Sequence, residues 1–486
     1  MKILLIYPGW TEKCYSTFNP ARFFSNTYSI YPPLNLAYLA SVAESLGHEV
    51  RIHDGELNKT SLSNYISMVR VFQPELIGFT AYTPSFKLAE DIATQIKKIS
   101  SAKIVIGGVH FSAMNSKKHS CFLPEPFDYG FVGKSLLSWK TFLIEGAVTD
   151  NMLYRNSSGN VIKVVGSKYN DEMISSILPT RHLLENNRYK RPTPTGIKNY
   201  TTIFASIGCP FKCIFCSNEN QKVIHRNVDD VVKEMADIKS KYGTTHFIML
   251  DDTLTISREK TKELCDKIIS NKLNITFEGS TRANLVDEEL IKLMSEAGLV
   301  MLGFGLENAD NAIRDFIKKD VKTESYIEAN RLANKYGILT QNSCIIGLPG
   351  ETLDTIRKTL LFLREHRDIK QANISIATPY PGTELYEMAK KGEYGLELLT
   401  EDFTKYKRYG SAVMNVGNLK AEELVSIQEE AFGSIYIVPW RWGSTIKRSR
   451  YQGLFNDFYR IIKLIIKGKC RFLFNRYLRE EIKDVI

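Results

Sequence analysis

Ser206–Asn218 reads S-I-G-C-P-F-K-C-I-F-C-S-N. It holds Cys209, Cys213 and Cys216 in the spacing C-x3-C-x2-C, three of the chain's eight cysteines. Thiolates this close together, on a loop with Gly208 and Pro210, are placed to grip one metal centre from one side. A [4Fe–4S] cluster ordinarily takes four cysteine ligands. Three would leave one iron open to bind and reduce something else. The other reading is a structural zinc knuckle, which needs a fourth ligand close by. The next Cys or His is His225, nine residues past Cys216 and outside usual finger spacing. A disulfide would leave one cysteine over and does not suit a reducing compartment.

Working outward, the 486 residues predict two to four domains. Hydrophobic residues make up 43% and charged residues 24%, enough to bury sizeable cores. No signal peptide is read, because the opening apolar run Lys2–Tyr7 is cut by Pro8 and Gly9. No apolar stretch approaches the roughly 18–20 residues that span a bilayer. The other cysteines (Cys14, Cys121, Cys265, Cys344, Cys470) are scattered, which predicts a cytoplasmic protein. The net charge of +10 sits mostly at one end: Trp440–Ile486 carries twelve Lys/Arg against four Asp/Glu. The nearly neutral remainder is unlike a nucleic-acid binder.

Before the cysteines, short apolar runs alternate with helical patterns. Strands are predicted at Lys2–Tyr7, Glu49–His53, Leu76–Thr80, Lys103–Ile106 and Tyr129–Val132, with helices at Leu34–Leu46, Leu62–Phe72 and Phe86–Ile99 between them. This alternation predicts a doubly wound parallel sheet over residues 1–170, with ligands at the carboxyl ends of the strands. Those ends carry Thr80, Gly107-Gly108-Val109-His110 and Gly133-Lys134-Ser135. None is a dinucleotide or Walker loop. Residues 171–200, with Pro179, Pro192 and Pro194 among several arginines, read as a linker.

From Thr201 the alternation resumes. Six strands are predicted, near Thr202–Ala205, His246–Leu250, Ile275–Gly279, Met301–Phe304, Gln341–Ile346 and Asn373–Ala377. Six strand–helix repeats predict a partial (β/α)6 barrel over 201–395, with its chemistry at the C-terminal ends of the strands. Asp251 and Asp252 stand at one such end and read equally as helix caps or as site carboxylates. The fold class is therefore α/β in two units, with a helical, basic extension over 396–486.

The cysteine spacing, with Phe211 and Phe215 around it, resembles the signature of radical S-adenosylmethionine (SAM) enzymes. The first unit resembles the cobalamin-binding domain that precedes the barrel in one subgroup. The matching pieces are Tyr31-Pro32-Pro33-Leu34, the Gly-His-Glu-Val before the second strand, and the Gly-Gly-Val-His after the fourth. The match departs twice: there is no D-x-H-x-x-G, and Gly133-Lys134-Ser135-Leu136 stands where an acidic run is expected. The resemblance implies that Cys209, Cys213 and Cys216 ligate a [4Fe–4S] cluster. It implies that Arg282 pairs with the SAM carboxylate, Ser280 assists, Glu307 takes the ribose hydroxyls and Gly347 lies by the adenine. It implies that Thr80, Gly107, Gly108, His110 and Gly133 line a cobalamin site.

The implied activity is reductive SAM cleavage to a 5′-deoxyadenosyl radical, hydrogen abstraction from an unactivated carbon, and methyl transfer to the substrate. Oxidative cyclisation or rearrangement without methyl transfer is the alternative within the family, and a non-catalytic cobalamin sensor the alternative outside it. The implied partners are a small-molecule or lipid-like substrate and a flavodoxin- or ferredoxin-type electron donor. The basic, aromatic-rich helical pattern within 440–486 fits either peripheral contact with an anionic membrane or packing on the barrel.

Overall fold

The computed structural model describes residues 1–9, 30–116, 121–166, 173–193, 196–218 and 221–436. The basic stretch 440–486, Cys14 and Cys470 lie outside them. The first unit is a seven-stranded sheet in the order β2-β1-β3-β4-β5-β6-β7. Its strands are β1 (Lys2–Tyr7), β2 (Glu49–Asp54), β3 (Leu76–Thr80), β4 (Lys103–Gly107), β5 (Tyr129–Phe131), β6 (Met152–Arg155) and β7 (Val161–Val164). β1 to β5 are parallel, as their alternation with helices requires. β6 and β7, which the sequence reading left out, extend the edge antiparallel. Both faces are covered, so β1 and β3 read as unbroken apolar runs rather than alternating ones.

The second unit is built on β8 (Lys190–Thr193), β9 (Gly196–Ile203), β12 (His246–Met249), β13 (Thr276–Thr281), β14 (Leu299–Glu307), β15 (Leu339–Ile346) and β16 (Gln371–Ile376). Two short pairs stand apart, β10 (Ser206–Ile207) with β11 (Ile224–His225) and β17 (Leu396–Leu398) with β18 (Met414–Val416). β9 and β12 to β16 are the six parallel strands that the repeats predict. Side chains capped where the sequence places them set the helices: Asn227 opens Val228–Tyr242, Ser257 opens Arg258–Ser270 and Asp287 opens Glu288–Glu296. Their apolar faces and alternate strand residues (Phe247, Phe277, Leu302, Phe304, Cys344, Ile374) form the main core. The other strand face is left for a lumen.

The expected linker is not irregular. Lys190–Thr193 pairs antiparallel with Gly196–Ile203, so the proline-bearing stretch is an edge strand of the barrel sheet. Two of its three arginines are internal, and Arg188 is exposed. Arg181 is buried on Glu234, Thr201 and the carbonyl of Thr202, and Arg191 on Glu278. The same stretch fastens the two units, with the Tyr189 hydroxyl donating to Asp54 at 2.8 Å and the Thr180 amide to the Ala37 carbonyl at 3.0 Å. The Tyr200 hydroxyl donates to the carbonyl of Ile30. On the far side, Ala113 abuts Gly382 just past β16. The strand ends of the first sheet therefore face the open side of the barrel.

Candidate functional site

The cysteine loop leaves the end of β9 and is held by two adjacent carboxylates from the end of β12. Asp251 is buried and accepts the Ser206 amide and hydroxyl at 2.6 and 2.7 Å and the Ala205 amide at 3.0 Å. Asp252 accepts the Gly208 amide at 2.8 Å and the Asn218 side-chain amide at 2.7 Å. Both carboxylates are thus braces for the loop. Burial lifts Asp251 to about 6. Gly208 has φ +94°, and a Cβ there would lie 2.2 Å from the Lys222 carbonyl, so only glycine allows this turn. The Ile214 amide donates to Ile317, and Ile214 accepts from Leu385, tying the loop's far limb to the barrel.

All three thiols are free. Cys213 is buried beside the Lys318 carbonyl and Cys209 stands near Thr253. Burial raises the Cys213 thiol and lifts Cys216 to about 11, with Cys209 adding to both. Among the described residues, no three His, Cys, Asp or Glu side chains converge on the point that a single ion requires. A cubane offers its irons at separate corners, so its cysteines stand apart, and the spread trio fits such a cluster.

Arg282, just past β13, is buried, with its guanidinium 3.7 Å from the centroid of the Phe211 ring in the cysteine loop. Its buried Nε has no hydrogen-bond partner. That open donor fits an incoming carboxylate. Ser280 is exposed on the neighbouring lumen position, and Gly303 across from it has no room for a side chain. Glu307 ends β14 at a register shift and in the left-handed region, φ +61°. Its carboxylate pairs with Lys319 at 2.8 Å, both side chains almost fully buried. Lys319 is a site residue that the sequence reading missed. It follows a short helix, Asn311–Phe316, whose Asp310 cap is the one local signal for it. Gly305 carries no side chain because a Cβ there would strike both members of this pair.

Gly347 (φ +81°) donates to the buried Glu351, as does Leu348, while Asn308 grips the other carboxylate oxygen. Burial lifts Glu351 to about 7. Gly347 also yields its side-chain space to Leu424 of the helix Ala421–Tyr436, so the loop is pressed between strand end and helix.

On the first sheet, Gly108 has φ +98°, with Thr80 and Ala81 filling the place of its side chain. Thr80 accepts from Asn35 at 2.9 Å, and the Gly133 amide donates to Ser112 at 2.8 Å. Gly107 closes β4. Glycines at strand ends, with small neighbours, leave a low floor on which a flat cofactor fits. His110 departs from the expectation. Its ring is fully buried between Phe86 and Phe403 and touches Thr83 at 3.2 Å. Enclosed in this way, the side chain offers no surface to a bound group. Tyr82 is 49% exposed although it stands deep in the molecule, so it faces the internal chamber between sheet and barrel.

Comparison with known proteins agrees with this arrangement. Residues 203–363 match the Radical SAM superfamily and residues 23–125 the B12 binding domain. An uncharacterized methyltransferase of Pyrococcus horikoshii is 29% identical over 486 residues, covering 97% of this chain and 98% of that one. The anaerobic magnesium-protoporphyrin IX monomethyl ester cyclase of Rubrivivax gelatinosus is 26% identical, covering 84% of this chain and 72% of that one. The solved structure of the radical SAM methyltransferase TsrM from Kitasatospora setae, with cobalamin and a [4Fe–4S] cluster bound, superposes with a TM-score of 0.66 at 18% identity, covering 90% of this chain and 89% of that one. The chain carries a radical SAM domain preceded by a B12-binding domain, and its cofactors are a [4Fe–4S] cluster, S-adenosylmethionine and cobalamin.

Proposed function

We propose that this enzyme methylates an unactivated carbon of a small molecule. What supports the reading is that the strand-end loops of the two units meet, Ala113 against Gly382 and His110 against Phe403, on the side of the barrel where its strand-end loops lie. When bound, the cluster supplies the electron that cleaves SAM to the radical and cobalamin supplies a carrier for the methyl group. The chain's own work is placement. Cys209, Cys213 and Cys216 hold the cluster, and the Asp251 and Asp252 braces keep the loop from opening. Arg282 would take the SAM carboxylate as a fork, with the Phe211 ring packed on the guanidinium face. Glu307 accepts the ribose hydroxyls, with Lys319 fixing its carboxylate. Gly107, Gly108, Thr80 and Gly133 form the cobalamin floor. These roles imply units at 1–170 and 201–395, joined by 171–200 and followed by 396–486.

Among the described residues, no helix is long and apolar enough to cross a membrane. The basic amphipathic sequence of 440–486 supports peripheral contact with an anionic surface. Liposome flotation of the intact chain against one ending at Pro439 tests this, and equal behaviour removes it. A flavodoxin- or ferredoxin-type protein fits as the electron donor, and SAM cleavage driven by such a donor tests that.

The reading is tested by incubating the reconstituted, cobalamin-loaded enzyme with methyl-labelled SAM and reductant in an extract of metabolites. Formation of 5′-deoxyadenosine together with labelled product is expected. Deoxyadenosine without label in any product would replace methyl transfer by cyclisation or rearrangement. No deoxyadenosine from the wild type would sink the reading.

A further inference from the structure

Arg408 is a second guanidinium of the chamber, and the cofactor roles above leave it unused. Its backbone is pinned to the end of the sixth barrel strand. The carbonyl of Arg408 accepts the Ile376 amide and the Gln428 side-chain amide, both at 2.9 Å. Gln428 in turn holds the Ile374 carbonyl and the Gly410 amide, and the Thr378 hydroxyl holds the Lys407 carbonyl. The segment is therefore a fixed ledge on β16. Its side chain stands deep in the molecule yet keeps an exposed surface, so it projects into internal space rather than bulk water. The guanidinium lies 5.9 Å from the centroid of the Tyr380 ring. The titratable groups near it are the Tyr380 and Tyr409 hydroxyls and, more weakly felt, the Glu307 carboxylate. No carboxylate forms an ion pair with it among the described residues.

A guanidinium with an exposed edge and no carboxylate partner among the described residues is free to take an oxyanion as a fork. SAM is not placed to do so. Arg408 lies beside the end of β16 and Arg282 just past β13, three strands away in the sheet order. At about 4.8 Å per strand the two forks are on the order of 10–15 Å apart, and one carboxylate cannot serve both. Below Arg408 on the lumen face of the same strand, Gln371 and Asn373 are buried with side-chain oxygens that have no partner. A polar molecule held at the top by its anion would find acceptors there.

We propose that Arg408, with the Tyr380 hydroxyl beside it, is the anchor for the substrate. The substrate is accordingly an oxyanion, carrying a carboxylate or a phosphoryl group, and that group is held at the end of β16 while its reactive carbon faces the centre of the barrel. The inference rests on the chamber being the reaction site.

The test uses the full chain loaded with cluster and cobalamin. Inorganic phosphate, propionate and the neutral isostere propionamide are the probes, and their NMR line broadening by the chemically reduced, paramagnetic cluster is read in the absence of SAM. Phosphate or propionate should broaden in the wild type, with propionamide broadened at least tenfold less. Broadening by phosphate alone assigns a phosphoryl group, and by propionate alone a carboxylate. In Arg408→Gln the effect should fall at least tenfold, in Arg408→Lys it should partly persist, and in Tyr380→Phe it should fall two- to threefold. SAM affinity in Arg408→Gln should stay within threefold of wild type. Should that variant not load its cluster, Arg408→Lys and Tyr380→Phe decide. Equal broadening by propionamide, no broadening in the wild type, unchanged broadening in the variants, or loss of SAM or cobalamin binding with Arg408 would overturn the anchor. SAM cleavage by the wild type is measured in parallel: its absence defeats the functional reading, and its presence without anion binding defeats the anchor alone.

Discussion

Asp251 receives the amide and the hydroxyl of Ser206 on one oxygen, at 2.6 and 2.7 Å, three residues before the first cysteine of the trio. The carboxylate is buried and takes three bonds in all, so it fixes where the loop starts. Asp251→Ala would leave two buried amides and a hydroxyl unpaired, each costing about 1–3 kcal/mol. We expect iron content after anaerobic reconstitution to fall by more than half, with the remaining cluster lost first on mild chelation. Full iron loading in this variant would show that the brace is dispensable.

Arg282 makes its two visible commitments with different parts of the guanidinium, the flat face on Phe211 and the edge left open at Nε. Lysine keeps the charge but neither the plane nor the fork. Arg282→Lys should weaken SAM binding about tenfold or more, roughly 1.4 kcal/mol, with iron and cobalamin content unchanged. Equilibrium binding of SAM to the unreduced enzyme measures this directly. Unaltered affinity would remove Arg282 from the SAM site.

The Glu307–Lys319 pair is almost fully buried, and the chain around it is strained: Glu307, Lys318 and Asp320 all have positive φ. Removing one partner of such a pair costs about 3–5 kcal/mol, because the other charge is left uncompensated. Lys319→Met should therefore destabilise strongly in chemical denaturation. The double variant Glu307→Gln/Lys319→Met should recover much of that loss while SAM binding stays weak. Recovery of SAM binding in the double variant would separate Glu307 from the ribose.

His110 gives the pH dependence. Burial between Phe86 and Phe403 lowers it from the ordinary value of 6.5 to about 4. The folded state holds the ring neutral, so its contribution is whole above about pH 6.5. As the pH falls towards 4 the unfolded chain takes up the proton first, and about 3 kcal/mol of stability is lost across that window. His110→Phe fills the same apolar slot without titrating. It should flatten the fall in Tm between pH 6.5 and 4 and leave cobalamin loading intact. Loss of cobalamin in this variant would return His110 to the cofactor site.

Much of this was legible in the chain itself. The cysteine spacing, the strand–helix alternation and the capping residues Ser257 and Asp287 are local signals, and their order along the chain is enough to fix two parallel α/β units. The strand inside the linker stretch was not legible because proline on an edge strand looks like proline in a loop; only the partner strand Gly196–Ile203 distinguishes them. Which polar residues serve the site was decided by tertiary structure. Asp251 and Asp252 became braces because the cysteine loop folds back across the end of β12. His110 is buried because Phe403, almost three hundred residues later, closes over it. Lys319 and Arg408 carry no motif: each shows its role only through the counter-charge it has, as Lys319 has Glu307, or lacks among the described residues, as Arg408 does. Sequence determines local conformation and the types of side chain available. Burial and pairing depend on segments far apart in the chain, and they decide what each charge is for.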